Sequence, residues 1–331
     1  MSRYLWHTHE QAPAQANSDN GLTMAVLGCG NLGTAILSGI FDSLSQMESS
    51  KNTESKSDLP ARLPTRFNAC VKRAESAARL KSTLNNPTVT LKVFENDNLA
   101  GIKDAEIVLL GCKPYMIKPV LEAEGIKDAL KGKLLLSILA GVPESQIEDI
   151  LYPGQSHAEI VESGGATVVR VMPNTPAAVR EAMTVIATQD PPLQPETSKL
   201  IDWIFTRIGK VVHLPSANMD ASTALCGSGP AFVALMMDAL ADGGVAMGIP
   251  RKEAQIMAAQ TMKGTAQLVL NGEHPAVLKD KVTTPGGCTI GGLMVLEEKG
   301  VRGAVSRAVR EATVVASQLG AGVKGVNGTR W

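Results

Sequence analysis

Apolar runs alternate with amphipathic segments along the first two thirds of the chain. Short continuous apolar runs predict buried strands, and the segments between them show helical periodicity. Strands that alternate with helices are typical of a parallel sheet covered by helices on both faces. The predicted strands cover residues 23–27, 66–71, 89–94, 106–110, 134–138, 168–171, 183–187 and 211–214, and two clear helical patterns cover 32–44 and 74–84.

The pattern changes after about residue 215, where strand signals stop. Residues 230–247, 251–270, 289–298 and 301–319 are predicted to be helices. Segments such as 256–259 and 266–270 are apolar around much of the helix, which favours burial on several sides. We therefore predict an α/β domain over residues 22–215 and an all-α domain over 216–331. A homodimer through the helical domain would cover this apolar surface, and a compact monomeric bundle is the alternative.

Two polar stretches interrupt this organisation. Residues 1–21 are irregular and polar, and we predict a flexible extension there without a secretory signal. Residues 45–63 form a polar insertion rich in Ser, Lys, Glu and Asn. Such a composition buries too little apolar surface to fold alone, so this segment is predicted to be a surface loop or disordered.

Composition narrows the classes of function. The 32 basic and 32 acidic residues cancel, so nothing favours a nucleic-acid or membrane-surface partner. We expect no membrane span, because no apolar run approaches the length that a span needs. The five cysteines are scattered and lack metal-ligand spacing, which predicts reduced thiols in a reducing, cytoplasmic compartment and no metal site.

A glycine motif follows the first predicted strand and opens the first helix. Gly28 permits a tight turn, Gly30 lets the backbone approach a pyrophosphate, and Gly33 lets the helix pack close to the strand. Asn31 and Leu32 lie inside the motif, where free backbone N–H groups at a helix N-terminus attract phosphate. The motif predicts a Rossmann-type dinucleotide-binding domain, and a glycine-rich turn without a ligand is the alternative.

Three further segments at strand ends are candidates for the cofactor site. The second strand ends in Lys72 and Arg73, with no carboxylate to hold ribose hydroxyls. These cations suit a 2′-phosphate and favour NADPH, with NADH also usable, whereas a solvated basic pair is the alternative interpretation. Strand carboxyl ends face the ligand crevice, so residues that follow later strands are candidates as well: Lys113, Pro114, Asn174 and Thr175.

Three sequence blocks, in this order after the glycine motif, resemble the pyrroline-5-carboxylate reductase family. The blocks are Val-Met-Pro-Asn-Thr-Pro at 171–176, Leu-Cys-Gly-Ser-Gly-Pro-Ala-Phe at 225–232, and the stretch from His274-Pro275 through Thr-Thr-Pro-Gly-Gly-Cys-Thr-Ile at 283–290. The resemblance runs from about residue 23 to about residue 319. The insertion at 45–63, the extension, Thr283-Thr284 in place of Ser-Ser, and Cys288 in place of a small residue depart from the family pattern.

The resemblance implies NAD(P)H-dependent reduction of the C=N bond of 1-pyrroline-5-carboxylate to L-proline. The turn at 285–289 can surround the substrate carboxylate with backbone N–H groups at a positive helix end. Gly286, Gly287 and Cys288 would form the turn, and Thr284 would add a hydroxyl. The resemblance implies that Thr289 lies beside the ring nitrogen, where its hydroxyl orients that nitrogen or helps to protonate it. Lys113 would steady the active-site loop or reach the nicotinamide ribose.

The resemblance also implies active sites shared between two chains and dimers that assemble into larger homo-oligomers. Helix capping is the alternative role for the threonines. Two other functions stay open on the sequence alone. One is another imine reductase or a β-hydroxyacid dehydrogenase, for which Lys263 would be the candidate lysine. The other is a nucleotide-binding regulatory module without catalysis.

Overall fold

A computed structural model describes residues 21–49, 59–87, 89–323, 325 and 326 of the 331-residue chain. Its first domain is built around one eight-stranded sheet. The strands are β1 (Leu22–Leu27), β2 (Pro64–Val71), β3 (Thr90–Glu95), β4 (Ile107–Leu110), β5 (Leu134–Ser137), β6 (Thr167–Met172), β7 (Ala182–Thr188) and β8 (Gly209–Pro215).

The strand order is β3-β2-β1-β4-β5-β6-β7-β8, and the chain reverses its direction of travel across the sheet between β1 and β4. That reversal opens a crevice at the carboxyl ends of these two strands, the usual ligand site of a doubly wound sheet. Every neighbouring pair is parallel except β6 and β7, which are antiparallel. The β6–β7 pair departs from the parallel arrangement that the sequence predicts, because residues 173–181, which contain one 3-10 turn at Thr175–Val179, join the two strands in place of a crossover helix.

Helices cover both faces of the sheet, and a further set of helices after β8 forms the second domain. Those of the first domain are α1 (Asn31–Ser49), α2 (Ala74–Thr83), α3 (Asn98–Lys103), α4 (Ile117–Leu121), α5 (Ile126–Leu130), α6 (Glu144–Leu151), α7 (His157–Glu162) and α8 (Pro195–Thr206). After β8 come α9 (Met219–Ser222), a π-helical turn (Thr223–Ser228), α10 (Gly229–Ala246), α11 (Arg251–Leu270), α12 (Pro275–Val282), α13 (Cys288–Glu298) and α14 (Val301–Gly320). The fold class predicted from the sequence is confirmed.

Two hydrophobic cores enclose the sheet, which explains why its central strands are apolar on both sides. Helices α1, α2 and α8 pack on one face, where Phe41 and Phe67 meet at 4.7 Å between ring centroids. Helices α3 to α7 pack on the other face. Successive residues of a strand point to opposite faces, so Val26 joins the first core and Leu27 the second. The rigid sheet then holds the turns at its carboxyl edge in place.

The polar insertion is shorter than the sequence indicates. Residues 45–49 continue α1, which ends at Ser49 rather than Leu44, and residues 50–58 lie outside the described residues. Leu59 and Leu63 pack against the first core, and the Leu63 carbonyl accepts a hydrogen bond from the Leu22 N–H at 2.8 Å. The prediction of a surface loop or disordered segment is therefore wrong at residues 45–49, which extend α1 by about one turn, whereas residues 59–63 are a loop that two leucines anchor to the core. The predicted extension also falls outside the described residues, up to residue 20.

The helical domain contributes almost nothing to either core. Its helices α10 to α14 bury only small residues, such as Ala241, Ala254, Ala258 and Ala316. Most of the large apolar side chains that are exposed in the described chain lie here, including Leu235 at 71% and Met247 at 85% exposure. The helical stretch Ser216–Ala246, with a mean hydropathy of 1.5 over its most apolar window, is long and apolar enough to cross a membrane. Judged by length and hydropathy, the expectation that no apolar run is long enough to span a membrane is therefore wrong.

Candidate active site

The glycine turn after β1 is built by backbone contacts that exclude larger residues. Gly28 has φ +77°, and a Cβ there would lie 2.8 Å from the backbone N and Cα of Cys112. The N–H groups of Gly28 and Cys29 both donate to the Cys70 carbonyl, at 3.1 and 3.0 Å. This turn thus sits between the ends of β2 and β4, and α1 begins just after it. Gly28 has the structural role that the sequence predicted for it.

A cleft of about 700 Å³ opens at this edge of the sheet. Seven residues predicted to bind the cofactor line it together: Gly30, Asn31, Leu32, Gly33, Lys113, Pro114 and Thr175. The structure therefore brings together the turns that follow β1, β4 and β6. Residues 138–140, after β5, also line the cleft, and sequence reasoning missed them. Their position at the end of a central parallel strand was the signal that could have found them.

The basic residues at the end of β2 are exposed and form no ion pair with any residue that the structure describes. Lys72 and Arg73 precede α2, as predicted. Arg79, farther along α2, was missed by the sequence analysis. Its Nη1 donates to the Asn31 side-chain oxygen at 3.2 Å, which places a third cation beside the glycine turn. Three cations are thus available near one end of the cleft.

Two thiols near the cleft stay neutral. Burial raises the pKa of Cys29 to about 12, and the opposing influences of a Thr34 hydrogen bond and the Arg79 charge are smaller. Burial likewise raises the pKa of Cys112, beside the cleft, to about 11. Neither thiol therefore places a negative charge where a pyrophosphate would bind. All five cysteines are free, and Cys288 is exposed.

Asn174 was predicted to bind the nicotinamide end of the cofactor, but its side chain has other partners. It is only 9% exposed, its Nδ2 donates to the Cys226 carbonyl at 3.0 Å, and its Oδ1 accepts from the Met183 N–H at 3.0 Å. The cofactor role stays a prediction. Its neighbour Thr175 lines the cleft. The loop therefore contacts the cleft through Thr175 and the helical domain through Asn174.

A second, mostly apolar cleft of about 570 Å³ lies between the sheet edge and the helical domain. Thr223, Ser228 and Phe232 form one wall, and residues 308–319 of α14 form the other. Ala140 lines both clefts, so the two spaces meet at the loop after β5. Ser228 is the N-cap of α10 but makes no capping hydrogen bond with its side chain.

The turn predicted to hold the substrate carboxylate has the expected shape. Gly286 has φ +68°, and a Cβ on Gly287 would overlap the Thr284 hydroxyl. Gly287 is the N-cap of α13 and has no side-chain cap, so Thr289 is not the capping residue. Within the described chain, however, none of residues 284–289 lines either cleft. One copy of the chain does not bring the turn to the cofactor cleft.

Two further residues, His274 and Lys263, lie outside both clefts. His274 is the N-cap of α12, and its Nδ1 accepts a hydrogen bond from the Ala276 N–H at 3.3 Å, in agreement with a turn rather than catalysis. Lys263 is exposed on α11 and lines neither cleft. Among the residues that the structure describes, no group of His, Cys, Asp and Glu is arranged to hold a metal ion.

Comparisons with known proteins agree with this geometry. The family model described as "Pyrroline-5-carboxylate reductase dimerisation" matches residues 216–319, and "NADP oxidoreductase coenzyme F420-dependent" matches residues 23–141. Pyrroline-5-carboxylate reductases of Lophium arboricola and Neurospora crassa are 61% and 52% identical, each over 96% of this chain and 99% of the relative. The crystal structure of Plasmodium falciparum pyrroline carboxylate reductase with NADP bound is 25% identical, with a TM-score of 0.71, over 91% of this chain and 99% of that one.

Proposed function

The chain belongs to the pyrroline-5-carboxylate reductase family, and we propose how its two domains divide the work of that reaction. The enzyme transfers a hydride from NAD(P)H to the C=N bond of 1-pyrroline-5-carboxylate and produces proline. The observation that carries this conclusion is 61% identity along nearly the whole chain to a reductase of that name. The sheet domain holds the dinucleotide, and the helical domain holds the imine.

The cleft after β1 and β4 binds the dinucleotide. Its pyrophosphate lies against Gly30 and the N-terminus of α1, where backbone N–H groups and the helix dipole attract it. Lys72, Arg73 and Arg79 take the 2′-phosphate, because they are cations without described ion-pair partners beside Asn31. Guanidinium groups match phosphate geometry, so we propose NADPH as the preferred cofactor, with NADH as a weaker one. The Plasmodium relative, which has NADP bound, supports this preference.

The turn before α13 binds the substrate carboxylate. Because α13 begins at Cys288, directly after the N-cap Gly287 and without a side-chain cap, its first N–H groups are free to donate to an anion. The Thr284 hydroxyl borders the turn, and the Thr289 hydroxyl, two residues into the helix, hydrogen-bonds the ring nitrogen. A protonated imine already accepts hydride readily, so orientation is the main task of these groups. Lys113, in the dinucleotide cleft, steadies the nicotinamide ribose.

A second copy of the chain completes each site. The exposed apolar surface of α10 to α14 requires a cover, and the matched family model for this region is one of dimerisation. The apolar stretch 216–246 lies inside that region, so a partner chain accounts for it without a membrane. In the dimer, the turn at 284–289 of one chain reaches the clefts of the other, which meet at Ala140. We further propose that dimers assemble into larger homo-oligomers, which light scattering after size-exclusion chromatography would measure.

Steady-state oxidation of NADPH and NADH tests the assignment directly. Purified enzyme is assayed with and without 1-pyrroline-5-carboxylate, and proline is quantified. We expect imine-dependent oxidation with a lower KM for NADPH. Replacing Arg79 with Ala raises the KM for NADPH but not for NADH, whereas Lys81→Ala, on the last turn of α2, changes neither. A lower KM for NADH in the wild type would refute the phosphate site. Tight cofactor binding without imine-dependent turnover would instead favour a regulatory module.

Mixed dimers test whether the sites are shared. Thr289→Ala damages the substrate turn, and Gly30→Glu places a charge where the pyrophosphate binds. When both variants are co-expressed, about a quarter of wild-type activity should return, because half of the dimers are mixed and each has one intact site. If each site belonged to a single chain, every site in the mixture would carry a defect and no activity would return.

We also propose a cytoplasmic location. Five free thiols, of which Cys29 and Cys70 are buried, are typical of a reducing compartment. Fractionation of cells that express the tagged full-length chain checks this, and enrichment in an organelle fraction would contradict it.

A further inference from the structure

A π-helical turn interrupts the helix that leads from the sheet domain into the helical domain. It covers Thr223–Ser228, directly between α9 and α10. Such turns are rare and recur at functional sites, because they widen the helix and leave backbone groups available. Pro230 stands four residues after Cys226 and has no N–H, so the α-helical hydrogen bond to the Cys226 carbonyl cannot form. That carbonyl needs a donor from elsewhere.

Asn174 provides the donor. Its Nδ2 donates to the Cys226 carbonyl at 3.0 Å, while its Oδ1 accepts from the backbone N–H of Met183 at 3.0 Å. The side chain is nearly buried, and Pro173 and Pro176 restrict the loop that carries it. Both the nitrogen and the oxygen of the Asn174 amide are thus hydrogen-bonded, and the amide joins the start of β7 to the π-helical turn.

An ion pair from the same part of the sheet, buried on its Arg170 side, holds the neighbouring helix. Arg170, on β6, is 3% exposed, and its Nη2 lies 2.7 Å from Oδ1 of Asp220 on α9. A charge so well buried is held in one geometry by its partner. Strand β6 and the loop after it therefore hold α9 and the π-helical turn at two separate points.

The position of the π-helical turn sets the shape of the second cleft. Thr223 and Ser228, at its two ends, line that cleft, and Ala140 connects the cleft to the dinucleotide site. Thr175, the residue after Asn174, lines the dinucleotide site itself. Within one short loop, Thr175 thus contacts the cofactor cleft, and Asn174 contacts the wall of the adjoining cleft.

We propose that Asn174 is a positioning residue for hydride transfer. It holds the π-helical turn at a fixed distance from the dinucleotide cleft, so that the ring bound in the second cleft lies within hydride reach of the nicotinamide. This inference rests on the proposed function, in which the turn of a partner chain brings the imine to the clefts; it adds that the imine ring lies in the second cleft. This role differs from cofactor binding. The Asn174 amide acts by donating to the Cys226 carbonyl, which belongs to the π-helical turn that forms one wall of the second cleft.

Three variants test the proposal in the full-length enzyme. Asn174→Ala removes both hydrogen bonds. Asn174→Asp keeps the acceptor for Met183 but places a carboxylate oxygen against the Cys226 carbonyl. Asn218→Ala is the matched control, since it deletes the same group from an exposed side chain just before α9. The measurements are kcat, the dissociation constant of NADPH by fluorescence titration, and the primary isotope effect with deuterated NADPH.

Both Asn174 variants should lower kcat by about 10- to 100-fold, as expected for a misplacement on the order of 1 Å at the reacting atoms. The dissociation constant of NADPH should stay within about twofold, and the isotope effect should rise as hydride transfer becomes rate-limiting. Unchanged kcat and isotope effect in folded Asn174→Ala would overturn the proposal. Weaker NADPH binding at unchanged kcat would overturn it as well and would restore the cofactor role. An inactive wild type would instead refute the proposed function.

Discussion

Gly28 and Gly30 belong to one sequence motif, but the structure predicts opposite results when each is replaced by Ala. Gly28 has a left-handed backbone, and a Cβ there would press on the Cys112 backbone at 2.8 Å. Gly30 has no positive φ, and the nearest atom to its Cβ would be the Gly28 carbonyl oxygen at 3.9 Å. Gly28→Ala should therefore destabilise the fold, whereas Gly30→Ala should leave the fold intact and weaken cofactor binding.

The size of each effect follows from these two environments. For Gly28→Ala, the left-handed conformation costs about 1–2 kcal/mol, and the clash with immobile backbone adds about 1–3 kcal/mol. For Gly30→Ala, the loss of unfolded-chain freedom stabilises the fold by at most about 1 kcal/mol. The added methyl group instead separates the backbone from the pyrophosphate. Losing one charge-assisted hydrogen bond there weakens NADPH binding by about 10- to 150-fold.

Thermal unfolding without cofactor, followed by NADPH titration, separates the two variants. The melting temperature of Gly28→Ala should fall by roughly 4–20 °C, while that of Gly30→Ala should equal or exceed the wild type. A stable Gly28→Ala protein would show that the turn can rearrange. Normal NADPH affinity in Gly30→Ala would refute the placement of the pyrophosphate against this glycine.

Further predictions concern the domain contact and two buried thiols. A Cβ on Gly320 would overlap the Gly141 carbonyl oxygen, so Gly320→Ala should lower the free energy of unfolding by about 1–3 kcal/mol. Ser317→Ala, exposed on the same helix end, should leave it unchanged, and equal values for the two variants would contradict the contact. Burial raises the pKa of Cys29 and Cys70 from 9.0 to about 12, so the folded chain keeps protons that the unfolded chain loses. The free energy of unfolding should therefore fall as pH rises from 9 towards 12, and denaturation curves of Cys70→Ala should show a shallower fall.

The order of strands and helices was readable from the sequence because each central strand is buried on both faces. Residues 24–27 and 107–110 are continuous apolar runs, and the strands predicted at 23–27 and 106–110 agree with the structure within one residue at each end. The end of α1 was misjudged because its last turn, residues 45–49, is polar apart from Met47, so apolar periodicity gives little signal there. The direction of β7 relative to β6 is set by the connection at residues 173–181, and the strand pattern alone does not reveal direction.

The site was predictable where one short motif folds on itself, as in residues 28–33. It was not predictable where function depends on contacts between distant segments. The bond between Asn174 and the Cys226 carbonyl joins residues 52 positions apart, and Arg79 reaches Asn31 across 48. Neither pairing leaves a local mark on the sequence. Pro230 is the partial exception, since a proline four residues after Cys226 indicates an unsatisfied carbonyl but does not say which side chain will satisfy it.

The lack of a core in α10 to α14 has a thermodynamic consequence. Small buried alanines such as Ala241 and Ala258 supply little of the apolar burial that stabilises a folded domain. In the proposed dimer, most of the stability of these helices then comes from association, so diluting the protein should destabilise them. In the proposed dimer, the melting temperature of this half of the molecule should rise with protein concentration by mass action, and a subunit that loses its partner should lose part of its fold.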